Sequence, residues 1–245
     1  MDTIYTNKLK NLFGSLKSNR PMTSAELHEL NISADLLVYY VKAGWLKRLA
    51  NGVYAKPNAV LELNPCLNLL QQKIKGLHVG GKSALELYGY RHYLNKIPLT
   101  RLYAWDSAKL PDWFLAEFNA DVKRKRLFHE SPEDMLNVSH FNNDIAAPLV
   151  SEPERAVLEM LSDIPSSQEF GEAEEIMESA LNFRAEVMSN LLHQCENIKT
   201  VRLFLKIAAK HNLSVYEELK HMSFPTGSNR NWVHRKNGKT LILKP

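Results

Sequence analysis

Apolar residues near the start of the chain recur at helical spacing. The pattern predicts an amphipathic helix over residues 3–16, which the Asn-Arg-Pro sequence at 19–21 ends. Thr23 and Glu26 have the spacing of a capping box, in which each side chain binds the other residue's backbone amide. A second short helix is therefore predicted from this box through Leu30.

A third helix is predicted to begin after Ser33, which caps it, and to end at Ala43 before Gly44. At 100° per residue, one side of this helix is apolar. That side comprises Ala34, Leu36, Leu37, Tyr40, Val41 and Ala43. The opposite side, which we expect to be exposed, comprises Asp35, Val38, Tyr39 and Lys42.

A β-hairpin is predicted next, with strands over residues 45–49 and 53–56. Asn51-Gly52 lies between the strands, and this pair tolerates the positive φ angles of a tight turn. Three short helices followed by a hairpin is the element order of a winged helix-turn-helix. The chain start is thus predicted to be such a domain.

The exposed side of the third helix suits DNA recognition, because apolar atoms contact thymine methyl groups and polar atoms contact base edges. The cations of the hairpin suit phosphate contacts, which set orientation. The candidate DNA-contacting residues are Ser33, Asp35, Val38, Tyr39, Lys42, Lys47, Arg48, Asn51 and Lys56. In the alternative interpretation, the helix face packs on the rest of the protein and the lysines protect a sheet edge.

The remainder of the chain predicts a mixed domain rich in helices with a small sheet. Strands are expected over residues 99–105, 113–118 and 135–141, and a basic hairpin over 232–243. Further helices are expected over residues 66–74, 83–90, 151–161, 172–181, 184–195, 199–210 and 214–221, the one at 151–161 opening on a capping box. The predicted fold class is α+β, with a winged helix-turn-helix domain at 1–94 and a mixed α/β domain at 95–245.

Charge is unevenly distributed along the 245 residues, which carry a net charge of +4. Residues 1–100 contain 13 basic and 6 acidic residues, whereas residues 150–225 contain 7 and 13. Residues 226–245 contain 5 basic residues and no acidic one. This distribution indicates an anionic partner, with nucleic acid as the first candidate. The acidic middle segment leaves open direct binding to a protein partner.

Composition narrows the class of protein further. Two cysteines, Cys66 and Cys195, are too few for a disulfide framework or a cysteine zinc site. No apolar run approaches the roughly 20 residues that span a bilayer. No secretory signal is visible either, and with so few cysteines we expect a cytoplasmic protein. No metal or other cofactor is expected.

An alternative function is suggested by residues 76–83, GLHVGGKS, which match the G-x-x-x-x-G-K-S pattern of a P-loop. In that interpretation Lys82 and Ser83 bind nucleotide phosphates and magnesium. The segment before the pattern is polar and helix-like, where a P-loop requires a buried strand. A capping box at Ser83 and Glu86 explains the same residues as a helix start.

Three weaker patterns remain. Asp112, Asp121 and Lys123 have the residue types of a PD-(D/E)-x-K nuclease, which binds a divalent metal. The basic run at 123–126 and the tail at 226–245, which includes Trp232, suit either nucleic-acid contacts or solvated sheet edges. None of the nine histidines belongs to an H-E-x-x-H pattern.

Four segments together resemble the AbiEi family of antitoxins from type IV toxin–antitoxin systems, also called abortive infection systems. They are residues 43–54 (AGWLKRLANGVY), 78–89 (HVGGKSALELYG), 151–161 (SEPERAVLEML) and 201–205 (VRLFL). The segments follow in order along nearly the whole chain, with the basic tail beyond them.

The resemblance implies a non-enzymatic repressor that binds inverted repeats in double-stranded DNA upstream of its own operon. It also implies a neighbouring gene for a nucleotidyltransferase-like toxin, which is countered without a stable direct complex. By position, it assigns DNA contact to the helix from Ser33 to Ala43 and to the hairpin over residues 45–56. Independently of the resemblance, one winged helix offers few base contacts, so two copies on an inverted repeat, through cooperative binding or a dimer, are expected to supply the specificity.

Overall fold

The structure is a computed structural model. It describes residues 14, 16–90, 99–179, 182–236 and 239–243, and the helices and strands below lie within these ranges. The helices are α1 Ser24–Glu29, α2 Ala34–Lys42, α3 Leu63–Gln71, α4 Gly81–Leu87, α5 Asp112–Glu117, α6 Pro153–Ser162, α7 Phe170–Ser179, α8 Ala185–Gln194, α9 Ile198–Lys210 and α10 Ser214–Leu219. The strands are β1 Met22–Thr23, β2 Lys47–Ala50, β3 Val53–Ala55, β4 His78–Val79, β5 Thr100–Ala104, β6 Ala120–Arg124, β7 Val138–His140, β8 Leu149–Ser151, β9 Trp232–Lys236 and β10 Lys239–Leu243. The fold class is α+β, as predicted.

The chain divides into two compact units. The first consists of Met1–Gln72 and Leu110–Phe118, and the second of Lys73–Lys109 and Asn119–Pro245. The second unit thus includes β4 and α4, which precede residue 94. The helix predicted over residues 3–16 falls largely on residues outside the described ones.

The first unit contains a three-stranded antiparallel sheet in the order β1-β3-β2. Gly52, at a φ of +69°, forms the turn between β2 and β3 that Asn51-Gly52 predicted. The capping box is also confirmed: the Glu26 amide donates to Thr23 Oγ1 at 3.2 Å, and the Thr23 amide donates to Glu26 Oε2 at 2.7 Å. These short-range signals fix the start of α1 and the turn of the hairpin.

The core of the first unit lies between the helices and this sheet. Leu37 and Tyr40 of α2 are buried, and Leu36 and Val41 are half-buried, so the predicted apolar side faces inward. The other core residues are Leu16, Met22, Leu27, Ile32 and Leu46. Ala34 and Ala43 are exposed, because they lie at the two ends of the helix.

The second unit contains a five-stranded mixed sheet in the order β6-β5-β4-β8-β7. β4 pairs with β8 and β5 pairs with β6 in parallel, whereas β4–β5 and β7–β8 are antiparallel. Helix α6 is buried from Glu154 to its end and packs against α4, α8 and α9. It is therefore the central helix of this unit.

Several predictions about this part of the chain were wrong. Residues 113–117 belong to helix α5 and not to a strand. Trp113 and Phe114 are both buried, and Phe118, directly after the helix, packs on Phe114 with ring centroids 4.9 Å apart. The boxes predicted at 83–86 and 151–154 do not form: α4 begins at Gly81 and α6 begins after Glu152, neither with a side-chain cap.

The basic tail forms the predicted hairpin, but β9 and β10 make a separate two-stranded sheet, not an edge of the five-stranded one. Arg202 of α9, 6% exposed, holds the segment before this hairpin. Its guanidinium donates to the carbonyl oxygens of Thr226, Ser228 and Arg230 at 2.7, 2.5 and 2.7 Å. One side chain of a core helix thus fixes the path of the tail backbone.

A fully buried carboxylate joins the sheet to α6. Glu159 Oε2 accepts from the Gly81 amide at 3.0 Å and from Ser151 Oγ at 2.8 Å. Its Oε1 accepts from Arg155 Nε at 2.8 Å and contacts His78 Nε2 at 2.9 Å. This one side chain therefore links β4, α4, β8 and α6.

The network continues beyond Glu159. Arg155, 2% exposed, donates to both carboxylate oxygens of Glu130 at 2.7 and 2.8 Å and to the Leu136 carbonyl at 2.7 Å. Burial by itself raises the pKa of Glu159, but the contacts with His78 and Arg155 outweigh it and lower that pKa to about 2. Each buried charge thus has an opposite charge or a hydrogen bond beside it.

We expect Glu159→Gln to lower the free energy of unfolding at pH 7 by about 3–5 kcal/mol, because it leaves the buried Arg155 without part of its countercharge. The matched control is Glu172→Gln, whose partly exposed carboxylate pairs with Lys82. Loss of an exposed pair costs about 1 kcal/mol or less. Urea unfolding measures both values, and equal losses would contradict the importance assigned to the buried network.

The same pair of proteins gives a pH dependence. Because the folded pKa of Glu159 is lowered, its stabilisation is present above the ordinary value of about 4.5 and is lost as the pH falls toward 2. The stability difference between wild type and Glu159→Gln should therefore shrink between pH 5 and pH 3. A constant difference over this range would show that folding does not lower the pKa of Glu159.

Candidate nucleic-acid interface

The predicted recognition helix is α2, and a side chain fixes its start. Ser33 has an extended backbone, and its Oγ accepts from the Leu36 amide at 3.3 Å. Asn31, at a φ of +60°, makes the turn between α1 and α2. The sequence order of helix, tight turn and helix is thus present in the first unit. The Ser33 hydroxyl therefore has a structural role as the N-terminal cap of α2.

Four exposed residues form a single stripe along α2. Asp35, Val38, Tyr39 and Lys42 are all exposed, and their i, i+3, i+4, i+7 spacing places them on one helix face. Val38 and Tyr39 are each 54% exposed, which is high for large apolar side chains on a helix whose other side is buried. Hereafter these four residues are called the α2 stripe.

Trp45, which the sequence analysis did not single out, supports this stripe from one end. Its ring meets the ring of Tyr39 edge-on, with centroids 5.7 Å apart, and lies 5.5 Å from that of Tyr40. Tyr39 therefore has one side fixed against an aromatic neighbour while its other side is exposed. A tryptophan directly after the helix-ending Gly44 was the available signal.

The hairpin between β2 and β3 carries the predicted cations. Lys47, Arg48 and Asn51 are exposed, and Arg48 Nη2 donates to Asn51 Oδ1 at 2.9 Å across the turn. Lys56 is half-buried and donates to Ser18 Oγ at 3.3 Å, so it is less available than the other three. All nine predicted residues belong to the first unit.

The P-loop interpretation does not fit the geometry of residues 76–83. The Gly81 amide is occupied by Glu159, and a Cβ on Gly80 would lie 2.3 Å from Glu159 Oε2 and 2.4 Å from the Tyr103 ring. Protein groups therefore occupy the space in which a P-loop holds phosphates. The glycines are required by this close packing.

The two other P-loop residues also have protein partners. Lys82 forms an ion pair with Glu172 of α7. Ser83 Oγ donates to the Leu99 carbonyl at 3.0 Å and accepts from the Arg101 amide at 2.8 Å. Both side chains hold α4 against its neighbours.

The residues of the nuclease pattern are likewise paired. Asp121 forms an ion pair with Arg101, and Lys123 donates to Asp163 Oδ2 at 2.8 Å. Asp112 belongs to the first unit, whereas Asp121 and Lys123 belong to the second. Across the described ranges, no group of three or more His, Cys, Asp or Glu residues is arranged to hold a metal ion.

The basic run at 123–126 divides into two sets. Lys123 and Lys125 turn inward to Asp163, at 2.8 and 2.7 Å. Arg124 is exposed, and Arg126 pairs with Asp106 while its guanidinium lies 5.0 Å from the centroid of the Trp105 ring. Two of the four residues of this run are thus half-buried and paired with a buried carboxylate.

Both cysteines are free thiols in buried positions. Burial raises the pKa of Cys66 to about 12 and that of Cys195 to about 11. Cys195 donates to the Asn197 carbonyl, while the nearby His193 is exposed and contacts Phe224. Neither thiol has the lowered pKa of a nucleophile. Within the described residues, no helix has both the length and the apolar character needed to cross a bilayer.

Comparison with known proteins agrees with the resemblance. Residues 5–96 match the family model described as the N-terminal domain of the AbiEi antitoxin transcriptional regulator. Residues 99–242 match the model described as transcriptional regulator, AbiEi antitoxin, type IV toxin–antitoxin system. The matches define a transcriptional regulator of the antitoxin class. The chain belongs to the AbiEi family of type IV toxin–antitoxin systems.

A solved structure shares the fold. The crystal structure of the RV2827C protein from Mycobacterium tuberculosis aligns with a TM-score of 0.55 at 14% sequence identity. The alignment covers 92% of this chain and 88% of that one. No curated protein matches the sequence.

Proposed function

We propose that this AbiEi-family chain is a winged helix-turn-helix repressor that binds inverted repeats in the double-stranded DNA upstream of its own operon. The observation that carries the proposal is the α2 stripe. It presents two large apolar side chains, a carboxylate and an ammonium group on one exposed helix face, beside a hairpin of exposed cations. No cofactor and no catalytic residue is part of the proposal.

In this proposal α2 enters the major groove with its N-terminal turns over the base edges. Val38 contacts thymine methyl groups, and Asp35 accepts a hydrogen bond from a base amino group. Tyr39 is held in place by Trp45, at a centroid distance of 5.7 Å, and does not have to be ordered on binding. Ser33, as the cap, sets where the helix begins.

The hairpin acts as the wing. Lys47 and Arg48 neutralise phosphates, and the hydrogen bond of 2.9 Å from Arg48 to Asn51 stiffens the tip that carries them. Lys42 of the α2 stripe and Lys56 after β3 are further cations of the same unit that the proposal assigns to the DNA backbone. One winged helix supplies few base contacts, so two copies bound to the two halves of an inverted repeat supply the specificity.

We expect the double variant Lys47→Ala, Arg48→Ala to bind all DNA sequences more weakly and to lower the salt slope of log affinity by about 2, because each lost phosphate contact lowers it by about 1. Fluorescence anisotropy with the upstream DNA and a shuffled duplex, over a range of salt concentrations, measures this. The matched control is Lys210→Ala, Lys220→Ala, which removes two exposed lysines from the acidic segment. An unchanged slope in the wing variant would overturn the wing assignment.

We expect Tyr39→Ala to change the preference among base pairs more than the salt slope, since the side chain contacts bases and not phosphates. Tyr39→Phe is the control: it keeps the ring beside Trp45 and removes only the hydroxyl. Affinity measured on a set of single-base variants of the operator separates the two. If Tyr39→Ala weakens every duplex equally, the residue only supports the helix.

We also propose that the chain counters a nucleotidyltransferase-like toxin encoded beside it, without a stable direct complex. Expression of the toxin from an unrelated promoter, with and without this chain, tests the antitoxin role apart from repression. Growth should be restored, also by the Lys47→Ala, Arg48→Ala variant, because the wing acts only on DNA. Co-purification should recover no stoichiometric complex. Failure to restore growth would leave the chain a repressor only.

A further inference from the structure

Two lysines of the second unit share one carboxylate. Lys123 Nζ donates to Asp163 Oδ2 at 2.8 Å, and Lys125 Nζ donates to Asp163 Oδ1 at 2.7 Å. Asp163 directly follows α6 and is 5% exposed. Tyr103 also donates its hydroxyl to Asp163 Oδ2, at 3.0 Å. The acceptor capacity of this carboxylate is thus largely used.

A third lysine reaches the same turn from α9. Lys199 Nζ donates to the carbonyl oxygen of Ser162 at 2.9 Å and to that of Ile164. Ser162 also accepts at its Oγ from Lys125 Nζ, at 2.7 Å. The ammonium groups of Lys125 and Lys199 therefore bind two atoms of one residue. Lys123, Lys125 and Lys199 are called the lysine cluster below.

The charge of this cluster is not balanced. Asp163 forms ion pairs with Lys123 and Lys125, and the ammonium group of Lys199 binds only carbonyl oxygens of the same turn. Among the described residues, no other carboxylate forms an ion pair with any of the three lysines. Burial lowers the pKa of Lys199, and the neighbouring charge of Lys125 lowers it further against the opposite effect of Asp163. Long lysine side chains can extend into water and separate their charges at little cost. Three of them that converge on one turn with a single carboxylate, at a net charge of +2, therefore form a site suited to an anion.

The cluster is accessible from solvent. The side chains of Lys123 and Lys125 are 23% and 18% exposed, and Ser166 and Ser167 beside them are exposed. Aromatic rings border it: Lys199 Nζ lies 6.0 Å from the centroid of the Trp232 ring, and Lys125 Nζ lies 5.5 Å from that of Tyr103. A ligand therefore meets cations, hydroxyl groups and an indole at one place.

We propose that the lysine cluster binds a phosphate group of charge −2, as inorganic phosphate or as the terminal phosphate of a nucleoside monophosphate. A phosphate dianion matches the net charge of +2, and its oxygens accept hydrogen bonds from ammonium and hydroxyl groups. Trp232 offers a surface on which a base stacks. This site belongs to the second unit and is separate from the α2 stripe and the wing.

Isothermal titration at constant ionic strength, with chloride as the balancing anion, tests the site. Inorganic phosphate and a nucleoside 5′-monophosphate are titrated separately into the full chain, and saturable binding of one equivalent is expected. Lys199→Gln should weaken binding by about tenfold, the usual effect of losing one hydrogen bond to a charged group. The matched control is Lys206→Gln on the same helix, whose ammonium donates to the Ile242 carbonyl at 2.9 Å and lies outside the cluster.

Each outcome decides between the alternatives. Tighter binding of the nucleoside monophosphate supports a nucleotide site that includes Trp232, and equal binding of the two probes supports recognition of phosphate alone. Absence of saturable binding by either probe would overturn the proposal. Equal weakening by Lys199→Gln and Lys206→Gln would overturn it too, because it would report net charge only. If Lys199→Gln does not fold, Lys123→Gln carries the same expected loss.

Discussion

The second unit depends on one constraint: the buried charge of Glu159 must be satisfied by groups that come from different elements. Its oxygens take hydrogen bonds from the Gly81 amide and Ser151 and meet Arg155 and His78, so two adjacent central strands and two helices converge on a single carboxylate. A buried ion is stable only when its partners are correctly placed. The network therefore specifies how α4 and α6 sit on the sheet, and it fills the loop that otherwise resembles a P-loop.

The first unit is organised differently. Its core is apolar, and its helices are fixed by local signals: a capping box at Thr23, a cap at Ser33 and left-handed turns at Asn31 and Gly52. Its charged side chains in the α2 stripe and at the tip of the hairpin lie on the surface. The exposed face of α2 thus makes a structural contact along its stripe, between Tyr39 and Trp45, and keeps its four side chains exposed, which is the arrangement that the proposed recognition role requires.

Sequence reasoning succeeded where one periodicity or one capping residue decides the structure. It predicted α2, its buried and exposed sides, and the turn of the β2–β3 hairpin. It failed where contacts with distant parts of the chain determine the secondary structure. The strands β4, β6 and β8, which have two, five and three residues, are examples that were not predicted. Ser83 and Ser151 did not cap helices because distant groups bind their hydroxyls. The inward turn of Lys123 and Lys125 likewise depends on Asp163, about 40 residues later in the sequence.

The attachment of the tail has a consequence for how its sequence can drift. Arg202 binds the carbonyl oxygens of Thr226, Ser228 and Arg230, which every amino acid possesses. Part of the information that places this segment is thus encoded in α9, because the identity of the side chains at 226, 228 and 230 does not matter for these three hydrogen bonds. Gly227 is the exception in the segment, since its φ of +73° and its closeness to Ile198 leave no room for a side chain. Lysine in place of Arg202 would be a poor substitute, since a single ammonium group does not present the fixed fork of donors that spans three carbonyls. A change of side chain at 226, 228 or 230 therefore leaves this attachment in place, whereas loss of the Arg202 guanidinium removes all three hydrogen bonds at once.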